Sequence, residues 1–91
     1  MIQADYNKKF NKDLSYFMRY EPENASVLFG LVDYILKSKP LTLEGPGNPE
    51  FLKGNWSGYM SRSITSKHRL VYRYKSKKVY FIQARGHYSD K

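Results

Sequence analysis

The chain changes its hydrophobic period near its middle. Tyr6, Phe10, Leu14 and Phe17 recur at spacings of four, four and three, which places them on one helical face. Lys8, Lys9, Lys12 and Arg19 fall largely off that stripe. Leu28, Leu31 and Ile35, widened by Val27, Val32 and Leu36, predict a second amphipathic helix. Pro22 separates the two, and Asp5 and Asn24 are the expected N-caps. The second helix is expected to stop before Pro40, because a residue preceding proline avoids helical geometry. Ahead of the first helix, "MIQA" reads as a short strand. After residue 58 the period becomes two, and "YMSRSIT", "HRLVYRYK" and "VYFIQA" read as three strands. Short connections between them predict antiparallel pairing. In the middle strand Leu70, Tyr72 and Tyr74 face one way, and Arg69, Val71 and Arg73 the other.

These elements assemble most simply as an α+β fold: a small antiparallel sheet with two N-terminal helices packed on one face, in a single domain over residues 1–91. Burying the Leu70 face beneath the helices leaves Arg69 and Arg73 on a polar face made concave by sheet twist. Between the halves lies "LTLEGPGNPEFLKGNWSG", with four glycines and two prolines in eighteen residues. It reads as a surface loop, longer than most connections in a compact domain, and such loops often carry function.

Composition narrows the class. A chain of 91 residues supports one small core. No apolar run approaches the length of a membrane span, and "MIQADYNKKF" lacks the apolar centre of a secretory signal. Cysteine is absent, which removes disulfides, thiol catalysis and thiolate metal sites, and fits a cytoplasmic protein. The formal net charge is +8, and its distribution is uneven: residues 1–50 carry −1, residues 51–91 carry +9. In that second part the cations alternate with Trp56, Tyr59, Tyr72, Tyr74, Tyr80, Phe81 and Tyr88. Cations meet phosphates and rings stack on bases, so the mixture favours nucleic acid over a merely solvated charged surface.

With two histidines and no cysteine, no metal-ligand spacing is present, and "EGPGNPE" lacks the context and lysine of a phosphate-binding loop. Ser57, Ser61 and Ser63 assemble into no nucleophilic triad. What remains is an acid–base set among cations. Glu50 is the only carboxylate between Glu44 and Asp90, and His87 lies near the end of the chain. Lys53, Arg62, Arg69 and Arg85 add positive charge, and Tyr88 can donate a hydrogen bond or stack. The set suits cleavage of RNA by its own 2′-hydroxyl, with a base, an acid and cations that hold the growing phosphorane charge. No cofactor is needed for that chemistry. Each residue also has a plainer reading. Glu50 could pair with Lys53, His87 could be a surface histidine, and Arg69 and Arg73 could be solvated strand residues. His68 reads as structural and Trp56 as a packing anchor.

The string "EGPGNPEFLKGNWSGYMSRSITSKHRLVYRY", followed by "ARGHY", resembles the YoeB branch of the RelE-like bacterial toxins. The resemblance covers residues 44–88 and rests on Pro-Glu-x-Leu-Lys, Ser-Gly-x-x-Ser-Arg, His-Arg-Leu-Val-Tyr and a late His-Tyr, in order. It implies the RelE-like fold and a ribosome-dependent mRNA endonuclease held inactive by a cognate antitoxin. By motif it places Glu50 at the general base, Arg69 at the transition-state stabiliser, His87 at the general acid with Tyr88 beside it, and Lys53 at a catalytic-site lysine. It further implies homodimers, contact with rRNA and mRNA on the basic face, and an antitoxin with an acidic C-terminal segment. Two departures stand out. Ser63 occupies the place of the family's second arginine, whose contact Arg62 or Arg73 would have to replace, and Ser89, Asp90 and Lys91 follow the usual terminal His-Tyr. The sequence also admits a non-catalytic RNA- or ribosome-binding protein and a protein whose main role is complex formation with an antitoxin.

Overall fold

The computed structural model describes residues 2–38 and 41–86. Its elements are β1 (Gln3–Tyr6), α1 (Lys8–Tyr20), α2 (Pro22–Lys37), β2 (Glu50–Phe51), a 3-10 turn (Gly54–Trp56), β3 (Met60–Ser63), β4 (Arg69–Lys75) and β5 (Lys78–Gln83). The strands form one sheet in the order β1-β5-β4-β3-β2. The α+β class and the helical cover on one face are those the sequence predicts. The three period-two strands pair antiparallel as expected, and β2 adds to them antiparallel through Glu50↔Ser61. β1 instead lies parallel to β5, so the sheet is mixed. No short turn joins β1 to β5, so the hairpin rule that orients the others does not act on it.

That parallel ladder also moves the start of α1. Asp5 and Tyr6 are held extended opposite Tyr80 and Phe81, and the Tyr6 and Phe81 rings stack at 5.3 Å. The helix therefore begins later than expected, with Asn7 as its cap in place of Asp5: its Oδ1 accepts from Phe10 N–H at 2.8 Å. In α2 Glu21 takes the cap position expected of Asn24, because Pro22 fits the first helical turn, where its missing N–H costs nothing. Asn24 lies inside the helix and donates from Nδ2 to Glu21 Oε1. The helix ends at Lys37, before Pro40.

Phe10 and Phe17 of α1 and Leu28, Leu31 and Ile35 of α2 pack onto Met60, Leu70, Tyr72, Val79 and Phe81 of the sheet. One acid lies on the α1 stripe. Asp13 is 4% exposed, and its Oδ2 accepts from the backbone N–H of Ala84 (2.9 Å) and Arg85 (3.0 Å) and from Lys9 Nζ (2.7 Å). It fastens the strand leaving β5 to the helix layer. A second polar group crosses the core: Arg62 Nε donates to Tyr72 Oη at 2.9 Å. Burial pushes the Tyr72 phenol above its ordinary value, and the hydrogen bond and charge of Arg62 pull it only partly back.

Two outcomes are expected in urea unfolding. Asp13→Ala strips the acceptor from two backbone donors and costs about 2–4 kcal/mol, part of it recovered in Asp13→Asn. Tyr72→Phe leaves a buried Arg62 donor unpaired and costs about 1–3 kcal/mol at neutral pH. The folded chain keeps the Tyr72 proton where the unfolded chain begins to lose it. That contribution is complete below about pH 10 and fades as pH rises further, so the deficit of Tyr72→Phe narrows there. A deficit that widens above pH 10 would contradict the assignment.

Candidate active site

The glycine-rich loop is fastened to the sheet from both faces. Beneath the sheet, Arg62 is 1% exposed. It donates from Nη1 to Pro46 O at 2.8 Å and from Nη2 to Thr42 O at 3.1 Å, with its guanidinium 5.1 Å from the Tyr34 ring centre. On the opposite face Arg69 donates from Nη2 to Asn48 O at 3.0 Å. Between them Ser63 N–H donates to Gly47 O. The loop runs so close that a Cβ on Gly45 would lie 2.4 Å from the Tyr34 ring, and one on Gly47 only 3.0 Å from Arg62 Cβ; both glycines have positive φ.

This fastening delivers Glu50, at the start of β2, to Arg69 at the start of β4. Glu50 Oε2 lies 3.0 Å from Arg69 Nη2. Arg69 is also held by Ser61 Oγ on its Nε (2.8 Å) and Ser63 Oγ on its Nη1 (2.6 Å). The two side chains differ in freedom: that of Arg69 is 11% exposed and that of Glu50 48%. A rigid, nearly buried cation thus faces a carboxylate that can turn toward solvent. The chemistry open to such a pair is proton abstraction by the carboxylate next to a fixed site for negative charge. Glu50 pairs with Arg69, not with Lys53, among the described residues.

The remaining expected site residues separate. Lys53 is exposed just past β2. Arg73 lies on the same strand and face as Arg69, beyond Val71. Arg62 is placed differently from expectation: the alternation Met60-Ser61-Arg62 turns it inward with Met60, where all three of its donor nitrogens are taken by Tyr72, Pro46 and Thr42. That position gives it no surface for RNA. Arg85 stacks on Tyr16 of α1, 3.5 Å from the ring centre. His87 and Tyr88 lie outside the described residues. The approach to them is fixed by groups that sequence reading left aside or treated as merely structural. Asp13 holds Ala84 and Arg85 as above, His68 Nδ1 accepts from Gly86 N–H at 2.8 Å, and Arg69 N–H donates to Gly86 O at 3.1 Å. The signal for Asp13 was present as an acid on an apolar helical stripe. Ser61 and Ser63 were marked only by alternating with Arg62, on the Arg69 face. A concavity of about 1000 Å³ along α1 is lined by neither Glu50 nor Arg69.

The chain is similar to known proteins in both sequence and fold. The family model for the YoeB-like toxin of bacterial type II toxin-antitoxin systems matches residues 6–88. Toxin YoeB of Mycobacterium bovis is 52% identical over 88 residues, covering 97% of this chain and all of that one. The match to toxin YoeB of Streptomyces coelicolor, 51% identical over 45 residues, takes in about half of each protein, 50% and 54%. Among solved structures, a YoeB/ParE toxin from Agrobacterium tumefaciens superposes with a TM-score of 0.87 at 31% identity, covering 96% of this chain and 100% of that one. From Staphylococcus aureus, a heterotetrameric YoeB-YefM toxin-antitoxin complex (TM-score 0.82, coverage 97% and 99%) and a YoeB dimer (0.83, coverage 96% and 98%) are each 30% identical. Matched along nearly its whole length in both sequence and fold, the chain belongs to the YoeB-like toxins of bacterial type II toxin-antitoxin systems.

Proposed function

We propose that this toxin is a ribosome-dependent endoribonuclease that cleaves translated mRNA by general acid–base chemistry with attack by the RNA 2′-hydroxyl. The observation that carries the reading is the 3.0 Å contact between Glu50 and an otherwise immobilised Arg69 on a cationic face. A phosphate arriving at Arg69 displaces the carboxylate, and Glu50 then takes the 2′-hydroxyl proton. The 2′-oxygen attacks phosphorus, and Arg69 holds the charge that grows on the non-bridging oxygens. The P–O5′ bond breaks, and His87, steadied by Tyr88, returns a proton to the departing 5′-oxygen. The products carry a 2′,3′-cyclic phosphate and a 5′-hydroxyl, and no metal ion enters the step. Lys53 supplies further positive charge beside Glu50.

Membership of the family, and the complex and dimer formed by its Staphylococcus aureus members, support two partners: an antitoxin whose acidic C-terminal segment folds onto the cationic face, and a second copy of the chain. Action on ribosomes places the protein in the bacterial cytoplasm. Ser63 supports a second reading. Where the family motif has an arginine, this hydroxyl does no more than brace Arg69, as in a protein that binds the ribosome without cutting.

Cleavage of mRNA on programmed ribosomes separates the two. Glu50→Gln and His87→Gln, each nearly isosteric, are expected to lower the single-turnover rate by about 10²–10⁴-fold each while ribosome binding persists. The wild-type products are expected to end in a cyclic phosphate. Unchanged rates in both variants, or products with 5′-phosphates, would overturn the mechanism. Absence of cleavage by the wild type with retained ribosome binding would favour the second reading.

A further inference from the structure

We propose that Arg73, Lys75 and Tyr80 form a second RNA subsite, which takes a phosphodiester and a base of the single strand beyond the cleaved linkage. The inference rests on the ribonuclease reading above and extends it to a nucleotide that Glu50 and Arg69 do not touch. Arg62 and Arg69 each commit all three guanidinium nitrogens to protein acceptors. Arg73 does not. Among the described residues its one side-chain hydrogen bond runs from Nη1 to Tyr59 Oη at 3.2 Å, with the guanidinium 4.9 Å from that ring's centre. Its Nε is buried and has no partner among them. An unpaired buried donor on a charged group is costly, and a phosphate held at the outer guanidinium nitrogens offsets that cost.

The surroundings fit that anion. A cleft of about 270 Å³ is lined by Arg73, Lys75, Ser76 and Tyr80. The β4–β5 register sets Arg73 opposite Tyr80, and Lys75 directly opposite Lys78. Two like charges facing each other across a ladder destabilise it, and a phosphate between them reverses the sign of that contribution. Lys78 Nζ lies 5.6 Å from the Tyr80 ring centre, so the same ring stands among cations, as in sites that stack bases of a single strand. Asp5 of β1 faces Tyr80 in the register and is the lone acid in these two rows. Arg73 is four residues beyond Arg69 on one strand, about 13 Å away, which is too far to share one phosphate. The two sites therefore engage different nucleotides along one face.

The test is anisotropy of a fluorescent single-stranded oligonucleotide across a KCl series, with 2′-deoxy positions throughout so that it cannot be cleaved. Arg73→Gln and Lys75→Gln are each expected to reduce the slope of log affinity against log salt by about 0.7, whereas Arg73→Lys keeps it. Tyr80→Leu is expected to weaken binding about fivefold or more without changing the slope. Thermal midpoints of the variants close to wild type establish that they fold. If the wild type binds and Arg73→Gln and Lys75→Gln retain its slope, the subsite is wrong and the ribonuclease reading stands. A wild type that binds no oligonucleotide also overturns the subsite, and the cleavage assay on Glu50→Gln then decides the ribonuclease reading by itself.

Discussion

Two guanidinium groups, one on each face of the sheet, hold the loop that carries Glu50. Arg62 grips Thr42 and Pro46 from within the core, and Arg69 grips Asn48 from the outer face. No salt bridge to Arg62 is present among the described residues, so its buried charge depends on the Tyr72 hydroxyl, two carbonyls and the Tyr34 ring. Burying a charge is tolerated only with this many partners, and removing one leaves an uncompensated group. The loop and the core are therefore conditions for each other. Without the loop carbonyls Arg62 is unsatisfied, and without Arg62 the stretch from Thr42 to Pro46 loses its two side-chain anchors.

The same logic explains the division of labour at the candidate site. Arg69 is positioned by Ser61, Ser63, Asn48 and Glu50, so a phosphate would meet a donor array already in place, with little reorganisation at the moment of reaction. Glu50 sits on a two-residue edge strand with half its side chain in solvent, free to exchange Arg69 for a substrate hydroxyl. The third participant in the proposed chemistry follows a segment tied by Asp13, His68 and the Arg69 backbone. Arg69 thus links the loop, the sheet and the exit of β5. A change at Asp13, on the far side of the sheet from Glu50, would loosen Ala84 and Arg85 and leave the carboxylate's own partner in place.

The helices and the strands of the second half were legible because their periods are strong and their apolar faces are uniform. The Leu70-Tyr72 face went under the helices as the alternation required. The Asp5–Tyr6 ladder was not legible, because its partner is 75 residues away in sequence and no local signal reports a parallel contact. Asp5 and Asn24 were sound caps by residue type, but pairing with β5 and the placement of Pro22 overrode them. Arg62 was misread for a clearer reason. Its charge suggested an outward position, while its neighbours at two residues either side, Met60 and Ile64, are both core. Period should have outweighed residue type. The Glu50–Arg69 pair was foreseen through the resemblance. Its support by two serines and one loop carbonyl requires the three-dimensional register, and no spacing encodes it.

Backbone ¹⁵N relaxation across residues 41–45 addresses the mutual dependence of loop and core most directly, because Arg62 holds this stretch through the carbonyls of Thr42 and Pro46. In Arg62→Met, order parameters there are expected to fall below about 0.6, while β4 and β5 stay at about 0.85. Order parameters of 41–45 equal to those of the wild type would contradict the account, because the stretch would then be held by something other than the buried guanidinium.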